Sequence, residues 1–134
     1  MTTPLRVEDA APVTTTEQAR ERVLELVGHP TSHQLWFMLL DARGWQIPLL
    51  IPVGGIPLRP EPGGVAVLAS AVNQILAEYG PGGSVILTLE RPGTAALTAV
   101  DQAWGRELRA SFGSLLRITG LFVAHDEGVC ELVG

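Results

Sequence analysis

Two short, almost unbroken apolar runs constrain this chain most: Gln34–Asp41 (QLWFMLLD) and Ser84–Leu89 (SVILTL). The first is too short and too uniformly apolar for a surface helix, and turn residues bound it; the second is rich in β-formers. Both predict buried strands. Asp41-Ala42-Arg43-Gly44 is a turn, with a glycine free to take positive φ. Trp45–Ile51 then predicts a second strand paired in a hairpin. Pro48 removes a ladder donor there, so this strand is expected at an edge or with a bulge.

Helices fill the intervals. Thr14, Thr15 and Thr16 offer N-caps, and Thr14 with Glu17 or Thr15 with Gln18 has capping-box spacing. Ala19, Val23, Leu26 and Val27 share one face of that helix, which Gly28 and His29-Pro30 stop. Pro52–Gly64 is a stiff Pro/Gly loop carrying Ile56 and Leu58, with Ile51 just before it, as candidate exposed contacts. Val65–Tyr79 predicts a helix ended by Gly80-Pro81-Gly82-Gly83. After Glu90-Arg91-Pro92-Gly93-Thr94, Thr98 caps a helix running to about Phe112 or Gly113, with Asp101 at N3. Arg117–Ala124 and Val129–Val133 close a hairpin across His125-Asp126-Glu127-Gly128. The expected fold is α/β: a mixed β-sheet flanked by helices, in the order α-β-β-α-β-α-β-β. At 134 residues the chain suits one domain. We expect residues 1–13 to be a flexible N-terminal arm and 14–134 a single α/β domain.

Composition excludes several functions. Net charge is −5, from nine basic and fourteen acidic residues, and every basic residue is an arginine. The missing lysine fits a GC-rich genome, and the scattered arginines argue against a nucleic-acid partner. Cys130 is the single cysteine, so an intrachain disulfide and a cysteine-only zinc site are impossible. The first residues have no signal-peptide pattern, and no apolar run approaches the ~20 residues of a membrane helix. A cytoplasmic protein without a membrane partner is expected. Charged residues are only 17% of the chain, which leaves room for a sticky face, a protein partner or a homodimer through the sheet edge or the Pro/Gly loop, with Trp36 and Trp45 nearby.

Chemical motifs are sparse. The three histidines, His29, His33 and His125, are dispersed without metal-ligand spacing. His125 beside Asp126 can be an oriented base, against the plainer reading of hairpin-turn polarity. The glycine pairs match neither a phosphate loop nor a dinucleotide fingerprint, and no GxSxG elbow occurs. Cys130, in a closing strand, suits a buried inert thiol. Thr88–Asp101 (TLERPGTAALTAVD) stands apart: a strand ends in a Pro-Gly turn and a Thr-x-x-Asp opens the next helix.

That segment, the Leu40-Asp41 strand end and the element order resemble the JAB/MPN metalloprotease-like fold, specifically its bacterial RadC-like branch, over roughly Ser32–Leu132. The resemblance implies a JAB/MPN (cytidine-deaminase-like) architecture. It places the family's two metal histidines on Leu89 and Arg91 and its Ser-x-x-Asp on Thr98–Asp101, with a connecting loop one residue short. It places the catalytic glutamate on His33. A catalytic zinc needs three protein ligands and a bound water. Leu89 cannot ligate, and the Arg91 guanidinium repels a cation.

The resemblance therefore implies a metal-free pseudoenzyme without cofactor: a non-catalytic binding or interaction module whose degenerate site comprises His33, Leu89, Glu90, Arg91, Thr98 and Asp101. Arg91 is expected to pair with Asp101 or Glu90 in place of the metal charge. The competing expectation is a metal-independent small-molecule-binding protein or enzyme using Glu90, Asp101 or His125 as acid-base groups.

Overall fold

The computed structural model describes residues 11–132. Its elements are α1 (Thr16–Val27), β1 (Gln34–Leu40), β2 (Gln46–Val53), α2 (Pro62–Tyr79), β3 (Ser84–Glu90), α3 (Ala99–Gly113), β4 (Arg117–His125) and β5 (Gly128–Glu131). The strands form one mixed sheet in the order β2-β1-β3-β4-β5. β1 is antiparallel to both β2 and β3, β3 and β4 run parallel, and β5 returns antiparallel on β4.

The uniformly apolar runs are explained by cover on both faces. Successive strand side chains alternate between faces. Leu35, Phe37 and Leu39 of β1 join Val85, Leu87 and Leu89 of β3 in a core closed by α2 and α3. Met38, Leu40 and Ile86 point the other way, into a second core with Ala19 and Val23 of α1. Neither strand has a wet face, so neither shows polar alternation. α1 crosses β4 closely at Gly120, which lies opposite Ile86; a Cβ there would lie 3.4 Å from that of Ala19 and 2.4 Å from the Phe122 ring. Gly83 is fixed more tightly still: its Cβ would fall 1.9 Å from the Leu40 carbonyl oxygen.

Several boundaries differ from expectation. β2 continues through Pro52 to Val53, because an edge strand loses nothing when an outward N–H is missing. α2 begins at Pro62, a residue suited to the first helical position. Val13 was expected in a loose arm, yet it is buried and its N–H donates to the Gly44 carbonyl at 2.7 Å. Residues 1–10 of that arm lie outside the described residues. Arg22, on the inward face of α1, is buried too; it donates to Gln46 Oε1 at 2.8 Å and to the Ala11 carbonyl. Ile51 and Ile56, expected as exposed contacts, pack against the α2/α3 core, whereas Leu58 is exposed.

Candidate functional site

Glu90 and Arg91 are adjacent in sequence and therefore point to opposite sides of the sheet end. Glu90 pairs in register with Gln34 and shares the α1 side with Thr88 and Ile86. It is buried, and four donors meet its carboxylate. The Thr31 and Ser32 N–H groups donate to Oε2 at 2.9 and 3.1 Å, and Gln34 Nε2 and Trp36 Nε1 donate to Oε1 at 3.0 and 2.7 Å. Burial pushes this carboxyl up, but the four bonds outweigh it and hold the acid below its ordinary range. Glu90 anchors the α1–β1 loop, and no lone pair is left for catalysis.

Arg91 follows Leu89 onto the α3 side, where it meets Asp101. Nε donates to Oδ1 at 3.0 Å and Nη2 to Oδ2 at 2.8 Å, a two-pronged pair. The two side chains are 11% and 2% exposed, so the pair is closed to water. Thr98 completes the carboxylate's surroundings. Its N–H donates to Oδ2 at 2.9 Å, while its hydroxyl accepts from the Asp101 N–H at 3.0 Å, a capping box at the start of α3. Burial pushes the Asp101 carboxyl up, and the Arg91 and Thr98 hydrogen bonds more than reverse this.

The rest of the guanidinium organises the connecting loop. Nη1 donates to the Thr94 carbonyl at 2.6 Å and Nη2 to that of Ala96 at 3.0 Å. From outside, the β4–β5 turn clamps the same loop. Asp126 accepts from the Gly93 N–H at 2.9 Å, and Glu127 accepts from the Ala95 N–H at 3.1 Å. Sequence reading missed both roles, since nothing local links residues more than 30 apart.

The remaining expected site residues fall into place around this pair. His33 is half-buried, with its ring edge-on to Trp104 at 6.2 Å. Burial lowers its pKa, with Asp101 pulling the other way. Leu89 is wholly buried in the α2/α3 core. His125 is not oriented by Asp126: its Nδ1 accepts from the Glu127 N–H at 3.1 Å, and its buried Nε2 has no partner among the described residues. Burial pushes the Cys130 thiol up, with Arg91 opposing, which disfavours the nucleophilic thiolate. Glu90 lies on the α1 side of the sheet end and Asp101 on the α3 side, and Arg91 pairs with Asp101 rather than Glu90. Among the described residues no group of three or more His, Cys, Asp or Glu side chains is placed to hold a metal ion. His29 is exposed at the end of α1. No helix of the described residues is long and apolar enough to cross a membrane.

No family model, no curated protein and no solved structure matches the chain.

Proposed function

We propose that this chain is a metal-free relative of the JAB/MPN domains, of the RadC-like branch, acting as a non-catalytic protein-interaction module. The observation that carries the reading is the closed, two-pronged Arg91–Asp101 pair. On the resemblance, these residues and Leu89 occupy the three metal-ligand positions. Leu89 and Arg91 lie two apart on β3 and its exit, on the side that faces α3. The guanidinium supplies the positive charge a metal would bring, and it takes up the Asp101 oxygens in doing so. Leu89 fills its own position with hydrocarbon. His33, at the catalytic-glutamate position, carries an imidazole in place of a carboxylate, and burial lowers its pKa.

An interaction role is supported by what remains outside. Pro62–Ala77 contains no charged residue, and among the described residues the largest exposures of bulky apolar side chains are Val67 on α2 (69%) and Leu58 in the loop before it (67%). We take these two side chains as the contacts a protein partner would cover.

Elemental analysis tests the metal-free half: purified protein is expected to carry well under about one zinc per chain. The double variant Leu89→His with Arg91→His, refolded with zinc, is expected to take up about one ion with Asp101 as third ligand. A folded double variant that binds no zinc would remove the family reading. Co-purification tests the interaction half: a partner retained by the native chain should be lost with Leu58→Asp and Val67→Asp together.

A further inference from the structure

The opposite end of the sheet holds a polar cleft of about 340 Å³, where α1 begins and where β3 and β4 start. This volume is at the small end of ligand sites, about 300–1,000 Å³. Of the eight arginines in the described residues, Arg20, Arg22, Arg91 and Arg109 hold side-chain hydrogen bonds. Arg43, Arg59, Arg106 and Arg117 have no side-chain partner among those residues, and two of the four, Arg43 and Arg117, line this one cleft. They come from distant parts of the sequence, the β1–β2 turn and the first residue of β4.

Ser84 also lines the cleft and is only 6% exposed. Its hydroxyl bonds to that of Thr119, another lining residue. Two hydroxyls bonded to each other spend one hydrogen between them, so one O–H of this part-buried pair is left to donate elsewhere. The first turn of α1 borders the cleft at Thr16, adding the partial positive charge of a helix start. Among the described residues one carboxylate lines the cleft, that of Asp41, and its Oδ1 already accepts the backbone N–H groups of Arg43 and Trp45 at 2.9 and 3.0 Å.

We infer that this cleft binds a phosphate group, as the free ion or on a small phosphomonoester. Two guanidinium forks and a free hydroxyl hydrogen offer more donors than the two oxygens of a carboxylate can use, and they match the three or four oxygens of phosphate. The cleft is cationic on a chain whose net charge is −5, so its sign is a local arrangement rather than the overall balance. This inference is independent of the Arg91 site.

Amide NMR shifts, followed at fixed ionic strength, test it with two probes, inorganic phosphate and ribose 5-phosphate. Saturable shifts are expected at Gly44, Gly82 and Gly83, with Kd raised about tenfold or more by either Arg43→Ala or Arg117→Ala. Both arginines are exposed, so the fold should survive their removal. Arg106→Ala, which removes an exposed and equally unpaired arginine on α3, should leave Kd unchanged. Tighter binding of the ester would identify a phosphomonoester site, and equal binding a site for the ion. Shifts that never saturate, or equal weakening by Arg106→Ala, would overturn the inference.

Discussion

At the scale of single residues, two buried carboxylates end up on either side of one strand end, each answered by its own donors. Among the described residues Glu90 receives four hydrogen bonds and no counter-charge, whereas Asp101 receives a guanidinium. Glu90→Gln keeps the shape but offers one acceptor oxygen and places an NH2 against donors. It is expected to cost about 2–4 kcal/mol in urea unfolding, since bonds to a charged group contribute about 1.5–3 kcal/mol each and some survive. A cost near zero would mean that Glu90 does not hold the Thr31–Ser32 loop. The same residues set the pH response. Glu90 and Asp101 are held below their ordinary range, and burial lowers His33. In all three cases the unfolded chain binds the proton first, so stability must fall as pH falls. The loss should begin below about pH 6.5 as unfolded histidine protonates, and steepen below about pH 4 as the carboxyls do. Urea midpoints that rise between pH 7 and pH 4 would contradict these environments.

At the scale of elements, the caps carry much of the legible information. Thr15 with Gln18 and Thr98 with Asp101 both form the capping boxes that their spacing predicts. Thr98→Ala is expected to cost about 1 kcal/mol by chemical unfolding, within the range of lost N-caps, and Thr98→Ser should restore most of it. The β1 and β3 runs were legible because full burial on both faces leaves an uninterrupted apolar signature. The Arg91–Asp101 pairing was expected from the resemblance, which left Glu90 open as the other partner. Other features were hidden because their cause lies far away in the chain. Arg22 reads as a surface residue until Gln46 is brought to it. Asp126 and Glu127 read as hairpin polarity until the Gly93–Ala95 backbone arrives beside them. Grouping Glu90 with Arg91 and Asp101 failed for a simple reason: neighbours on an extended chain face apart.

At the scale of the whole molecule, the sheet divides the protein into two cores and two ends, and its outer strand limits how copies can meet. β2 is an edge with Pro48 and Pro52 and an irregular register around Pro48, which takes donors off the rim and bends it. Strand-to-strand dimerisation through β2 is therefore disfavoured. Pro48→Thr with Pro52→Thr should increase self-association in sedimentation velocity at tens of micromolar, and an unchanged distribution would show that the prolines do not guard the edge. The braced loop at the other extreme, held inside by Arg91 and outside by the β4–β5 turn, is the feature on which the functional reading depends. A double-mutant cycle on Arg91→Ala and Asp101→Asn, read by urea unfolding, tests it most directly. Arg91→Ala alone should destabilise by about 3–5 kcal/mol, because it strands a carboxylate whose side chain is 2% exposed. The double variant should lose clearly less than the sum of the two single variants. Additivity within about 0.5 kcal/mol would mean that the two residues are not coupled, and would remove the observation that carries the proposed function.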